Sequence, residues 1–351
     1  MIDKKTKTKL NPVKKQPTIK YIYLDENNKT IKNKKILEKI KSIGIPPAYD
    51  PVILSTSSNS PIHAIGIDTR GRRQYMYNAR ITEKNQKEKY ENVLHLGKHI
   101  KQIRNNCKNI IRQCSTMKSC NEWKRNPKIE IAIIIYLIDH CGFRIGNMKY
   151  ADTNKSYGST TLQNKHLVID NNNKSVSIDF IGKKGIQNTG TITEPKMVKL
   201  FKMLKRERPK FLFTITGDDV SQFLKSYHLE ITPKMFRTWN ANYYFIEKIR
   251  HDLSACSPSL TSFYDIKNSA PNDSHPIAKL RKLRILYINE CFEYISTKLH
   301  NTANISKKSY VNSVISKKFI THNTAFINKL RSPTYSKLDN DELLLKLMDE
   351  D

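Results

Sequence analysis

Four short islands in this 351-residue chain collect side chains able to work on a phosphodiester. The first is Cys141-Gly142-Phe143-Arg144-Ile145-Gly146-Asn147-Met148-Lys149-Tyr150, and the second is Phe180-Ile181-Gly182-Lys183-Lys184-Gly185. The third is Thr232-Pro233-Lys234-Met235-Phe236-Arg237-Thr238-Trp239. The fourth runs Leu299-His300-Asn301-Thr302 and then Ser306-Lys307-Lys308-Ser309-Tyr310. Cutting a strand without a metal or nucleotide needs a side-chain nucleophile, cations to meet the charge on phosphorus, and an acid for the departing oxygen. A planar guanidinium braces phosphate oxygens better than an ammonium does. A phenol, whose reference pKa is about 10, needs positive neighbours before it attacks. Lys307 and Lys308 flank Tyr310 in sequence. Taken singly, each residue has an ordinary reading: one tyrosine of 17, an arginine paired with an acid, a solvated turn lysine.

The composition points to a polyanionic partner without choosing which. The chain holds 62 Lys+Arg against 32 Asp+Glu, a net charge of +30. Self-repulsion of that size disfavours a compact state, and a polyanion such as a nucleic-acid backbone relieves it. An anionic membrane surface or an acidic protein would fit the charge alone. Hydrophobic residues at 38% and aromatics at 9% allow a real core. The longest apolar run, Ile131 to Ile138, is far short of a bilayer span. The opening residues carry no apolar leader-like stretch, so export is not expected. Six cysteines form no Cys-x-x-Cys pair, which fits free thiols in a reducing compartment and no metal site. Neither Gly-x-x-x-x-Gly-Lys-Ser/Thr nor Gly-x-Gly-x-x-Gly occurs, so no cofactor is expected.

The elements that must position the islands are legible in outline, and they spell an α+β chain. Residues 1–16 read as a disordered basic arm. Ile19 to Leu24, a turn at Asp25-Glu26-Asn27-Asn28, and Thr30-Ile31 read as a hairpin. Ile62 to Ile67 and Gln74 to Tyr77 read as another. Helical spacing then takes over (Val93, Leu96, Ile100, Ile103), which places a boundary near residue 86. A β-rich domain over 1–86 therefore precedes a mainly helical one over 87–351, with a β insertion around 165–192. There Val176, Ile178 and Phe180 alternate with Ser175, Ser177 and Asp179, and Gly182-Lys183-Lys184-Gly185 turns the chain. Lys183 and Lys184 should thus sit at a hairpin tip. Ile131 to Ile138 fits a buried helix or a buried strand, with Gly142 as a helix stop. Asp339 to Asp351 reads as a closing helix.

In order and separation, the four islands resemble the type IB DNA topoisomerases, specifically the compact poxvirus and giant-virus enzymes. The resemblance spans about Pro61 to Val314 and includes Gly71-Arg72-Arg73-Gln74-Tyr75-x-Tyr77 upstream. It implies that Tyr310 attacks a DNA phosphate to form a 3′-phosphotyrosine, that Arg144 and Arg237 brace the non-bridging oxygens, and that Lys183 protonates the 5′-oxygen. Lys184 competes for that last role, and the Gly-Lys order favours Lys183. Lys234, three residues before Arg237, would add positive potential from the same helical face. Asn301 stands nine residues before the tyrosine, where poxvirus enzymes carry histidine and bacterial relatives carry asparagine. Asparagine can donate a hydrogen bond there but no charge. His300 is one helical step, about 100°, away and should point elsewhere, so its loss should spare cleavage. Arg73, Gln74, Tyr75, Tyr77 and Tyr150 would contact DNA. Asn147 replaces a base-contacting lysine of the poxvirus enzymes, which weakens any carry-over of their site preference.

The resemblance further implies a monomer that closes as a clamp around double-stranded DNA and needs neither nucleotide nor membrane. A viral protein acting in the host cytoplasm or in the virion is expected. A tyrosine recombinase shares the Arg, Lys, Arg, Tyr set but usually places histidine where Lys234 stands. A non-catalytic DNA-packaging protein would have no use for Tyr310 or for the island spacing.

Overall fold

The computed structural model describes residues 3–9, 18–257 and 276–350, apart from positions 26, 28, 47, 56, 58, 115 and 173. The chain divides into two units, residues 1–89 and 90–351. In the first, β1 (Asp3–Lys9) pairs antiparallel with β2 (Thr18–Leu24), from Asp3 opposite Leu24 to Lys9 opposite Thr18. This corrects two expectations. Part of the basic arm is strand, and β2 takes its ladder from upstream. Residues 10–17 lie outside the described residues. The turn after β2 does form, with the Asp25 carboxylate accepting from the backbone of Asn27 and Lys29 at 2.9 Å. Beyond it there is a single bridge, Leu24 to Thr30. The reason is local: Asn33 caps the next helix, α1 (Lys34–Ile43), leaving no room for a downstream strand.

β3 (Val52–Leu54), β4 (Ile62–Ile67) and β5 (Arg73–Tyr77) form a second antiparallel sheet in that order. The β4–β5 hairpin is the one expected. Asp68 ties its turn, accepting from the backbone of Arg70 and Arg72 and from the Arg72 and Gln74 side chains. Residue 86, where the sequence changes texture, falls inside a long helix, α2 (Ala79–Cys114).

In the second unit α2 buries Val93, Leu96, Ile100, Ile103, Cys107 and Ile111, a stripe at spacings of three and four. Against that core lies α3 (Lys128–His140), which resolves the ambiguity of the isoleucine run in favour of helix. It is apolar nearly all round because it is buried nearly all round. The helix stops at Cys141, and Gly142 takes the left-handed φ of +63° that a helix end of this type wants. α4 (Met148–Asn154) follows, then the three-stranded sheet β6 (Leu167–Asp170), β7 (Ser175–Ile181) and β8 (Gln187–Ile192). Val176, Ile178 and Phe180 face the core, as their alternation requires.

Helices complete the unit: α5 (Pro195–Glu207), α6 (Gly217–Lys225), α7 (Pro233–Ser254) and α8 (Pro276–Leu299). A single α-turn (Ala303–Ile305) then runs into a π-helical turn (Ser306–Tyr310), followed by α9 (Ser313–Thr321), α10 (Asn323–Arg331) and α11 (Asn340–Asp349). The closing helix α11 starts at a capping box formed by Asp339 and Glu342. Its Asp341 accepts from Arg104 Nη1 at 2.6 Å and Trp239 Nε1 at 2.7 Å, which fastens α11 to α2 and α7.

Candidate active site

α7 begins with Pro233 at its first turn, so the chain enters the helix with φ already set. One turn on, Arg237 points inward and is only 2% exposed. Its guanidinium is fully employed on three sides. Nη1 donates to the Gly142 carbonyl, Nη2 to the Leu299 carbonyl at 2.6 Å, and Nε to the Tyr310 hydroxyl at 3.4 Å. Leu299 ends α8, and Gly142 lies just past α3, so the cation sits on carbonyls at two helix C-termini, where the helix dipoles favour it. The guanidinium carbon also lies 5.3 Å from the centre of the Tyr310 ring. One arginine thus joins the first, third and fourth islands.

Gly142 makes that convergence possible. A Cβ there would stand 2.4 Å from the Lys298 carbonyl oxygen, so the loop after α3 can lie flat on the end of α8 only without one. The same loop carries Arg144. It is clamped from the other side by Ser159 N–H to Arg144 O (2.8 Å) and Thr160 N–H to Ile145 O (2.7 Å). Arg144 Nη1 is buried and has no hydrogen-bond partner among the described residues. Asn301 Nδ2 is in the same condition, while its Oδ1 accepts from Ser306 Oγ at 2.8 Å. Two buried donors without acceptors are costly in a resting protein and ready for an anion.

Tyr310 closes the π-helical turn, with Val311 N–H donating back to Ser306 O at 3.0 Å. Single π-turns recur at functional sites. Its backbone is held by two residues that sequence reasoning missed. Asn242 Nδ2 donates to the Tyr310 carbonyl at 3.1 Å, and its Oδ1 accepts from Asn312 N–H at 2.6 Å. Tyr90 Oη donates to the Val311 carbonyl at 2.7 Å. The signal for Asn242 was a polar side chain in the apolar middle of a helix, five residues beyond Arg237. Tyr90 gave none beyond its place on the α2 stripe.

The electrostatics follow from burial and neighbours. Burial pushes the Tyr310 phenol up, but Arg237, Arg144 and Lys234 outweigh it, and the phenol lies below its ordinary value of 10.0. Lys234 is exposed one turn from Arg237 and acts as the expected source of positive potential. Lys307 and Lys308 do not fill that role. Both are exposed, and the Lys307 ammonium lies over the Phe292 ring instead.

His300 and Asn301 are not one step apart on a helix. α8 ends at Leu299, and His300 takes a left-handed φ of +48°. Its ring turns back on the site and lies 2.9 Å, Nε2 to oxygen, from the Cys141 carbonyl. The helical step assumed between the two residues is absent, and His300 spends its Nε2 on the Cys141 carbonyl.

Lys183 and Lys184 are at the tip of the β7–β8 hairpin, both exposed. Among the described residues Lys183 makes no hydrogen bond or ion pair, and the structure does not bring it to Tyr310. The strands just below the tip do reach the site: Phe180 packs edge-on to Phe143 at 4.9 Å, and Gly190 lies against Cys141 and Phe143. Tyr150, on α4, is 57% exposed. Asn147 spends its side chain capping α4, accepting from Lys149 N–H at 2.9 Å. In the first unit, Arg73, Tyr75 and Tyr77 share the open face of edge strand β5, and the two rings stack at 6.3 Å. Gln74 faces the other way and is held by Asp68 at 2.9 Å.

Residues 78–332 match the family model described as eukaryotic DNA topoisomerase I, catalytic core, and residues 20–68 match bacterial DNA topoisomerase IB, N-terminal domain. The chain is 28% identical over 306 residues to DNA topoisomerase 1B of Acanthamoeba polyphaga mimivirus, covering 83% of this chain and 81% of that protein. Against DNA topoisomerase 1 of Rabbit fibroma virus it is 22% identical over 309 residues, 86% of each chain. Against DNA topoisomerase 1B of Vaccinia virus it is 24% identical over 255 residues, covering 72% and 70%. With the catalytic-core match running over most of its length, this chain belongs to the type IB DNA topoisomerase family.

Proposed function

We propose that this protein relaxes supercoiled double-stranded DNA with Tyr310 as its nucleophile. The observation that supports the site is the meeting of Arg237 with the Tyr310 hydroxyl, beside buried donors on Arg144 and Asn301 that lack acceptors. A guanidinium has five N–H donors, and Arg237 uses three within the protein, leaving two for phosphate oxygens. Arg144 Nη1 and Asn301 Nδ2 supply further donors where charge develops on the pentacovalent phosphorus. Tyr310 attacks, the 5′-hydroxyl end departs with a proton from Lys183, and the tyrosine keeps the 3′ end. The free end rotates and then attacks the phosphotyrosine to reseal the strand. Transesterification conserves the energy of the phosphodiester, so the cycle requires no ATP.

In this reading Lys183 arrives from the hairpin tip when DNA is bound, the turn moving on strands that the packing of Phe180 against Phe143 holds in place. Arg73, Tyr75 and Tyr77 from the first unit and Tyr150 from the second lie along the duplex, which the two units clamp. Gln74 is left to stabilise the β4–β5 turn. The protein acts as a monomer, in the host cytoplasm or the virion of a virus.

The test is incubation with supercoiled plasmid in EDTA without ATP, followed by peptide mapping of the covalent adduct. Relaxation with DNA on Tyr310 supports the reading. DNA binding without relaxation, or an adduct on another residue, overturns it. Asn301→Ala is expected to slow adduct formation about 100-fold, the usual cost of one transition-state donor. The measurement is a single-turnover time course with enzyme in excess. DNA binding by the +30 chain should weaken steeply between low and physiological salt. An affinity flat with salt, measured on a filter-binding series, would argue against the clamp.

A further inference from the structure

We propose that His300 is a positioning residue for strand cleavage, holding the Arg144-bearing loop against the end of α8 through its hydrogen bond to the Cys141 carbonyl. This rests on the assignment of Tyr310, Arg144 and Arg237 above. A helix stop with a left-handed residue favours glycine, because a Cβ is strained there. This chain puts a histidine at φ +48° instead, and strained residues of this kind gather at functional sites. What the histidine gains is visible. Its ring meets the Cys141 carbonyl at 2.9 Å and lies 5.5 Å, centre to centre, from the Phe143 ring.

Three consecutive features then fix one loop. His300 holds the carbonyl of Cys141, Arg237 holds that of Gly142, and Phe143 is wholly buried. Arg144 is the next residue, and its direction is set by those three. Because a carbonyl only accepts, the His300 Nε2 must donate. Burial holds the ring below its ordinary value against the opposing pull of the Cys141 hydrogen bond, with Arg237 and Arg144 adding to the lowering, so it stays neutral with Nδ1 bare. The ring therefore contributes geometry rather than charge.

The experiment pairs His300→Gly with His300→Gln. Glycine leaves the Cys141 carbonyl without its donor but relieves the backbone, so the variant should fold and melt only modestly below wild type. Adduct formation on plasmid DNA should nevertheless fall about 10- to 100-fold, the scale set by sub-ångström misplacement of a reacting group. DNA affinity, measured in a Tyr310→Phe background, should not change. Glutamine can present an amide N–H to the same carbonyl and should recover most of the rate. His300→Gly at the wild-type rate, or His300→Gln as slow as glycine, would overturn the proposal. A wild-type protein that forms no adduct on Tyr310 would instead overturn the site itself, so the two failures are distinguishable.

Discussion

Tyr310→Phe should bind supercoiled plasmid as the wild type does and relax none of it, with cleavage reduced at least about 10⁴-fold. The substitution removes one oxygen. That oxygen accepts a single long hydrogen bond, 3.4 Å from Arg237 Nε, so stability should change by no more than about 1 kcal/mol. Loss of chemistry with retention of fold and affinity is the pattern expected of a nucleophile. Residual relaxation in this variant would mean that another hydroxyl attacks, and the 16 other tyrosines would have to be searched. The decisive measurements are a relaxation time course and denaturing electrophoresis of the covalent complex.

Arg237→Ala should be the other severe variant, and for two separable reasons. The first is structural: the Gly142 and Leu299 carbonyls lose their donor inside the protein, and each unsatisfied group costs about 1–3 kcal/mol. Thermal melting should register this loss. The second is chemical. Removing a donor and charge from the developing phosphorus centre should slow cleavage about 10³-fold or more. Arg237→Lys should restore little, since one ammonium cannot reach two carbonyls and a phenol at once.

The pH dependence separates these effects further. In the wild type the phenol is held below 10.0, so its ionised, attacking form gains population as pH rises and is reached before pH 10. Without Arg237, burial acts on the phenol against Arg144 and Lys234 alone, and the rising limb of the rate–pH profile should move to higher pH. A profile that keeps its midpoint in Arg237→Ala would show that the phenol is not what titrates.

Much of this site was legible because its residues sit where local rules are strong. Gly142 after an apolar run marked a helix stop, and strict alternation from Ser175 to Phe180 marked the strand that carries Lys183 to its tip. The spacing of Lys234 and Arg237 read as one helical face, and both lie on α7. The failures are equally physical. Adjacency in sequence assigned Lys307 and Lys308 to the phenol, and a helical step assumed between His300 and Asn301 set the direction of His300. A π-turn and a left-handed residue change the angular step, and neither has a residue code in the chain. Asn242 and Tyr90 act through backbone carbonyls 68 and 221 positions away, a relation that exists only once the helices have packed. The β1 ladder was hidden by charge, since lysine-rich alternation reads as solvated arm until a partner strand is found.

The grip on the Tyr310 backbone has a mechanical meaning. In the proposed cycle the tyrosine is esterified to a DNA end, and a duplex under torsion then pulls on the protein at that one residue. The pull enters a short segment that could not bear it alone. Asn242 on α7 and Tyr90 on α2 take hold of the carbonyls of Tyr310 and Val311, and Asn242 also holds the Asn312 amide. Load arriving through the phosphotyrosine is thereby shared between a 22-residue helix and a 36-residue one. The hydroxyl of the waiting strand then returns to a phosphorus that has not been dragged from its place.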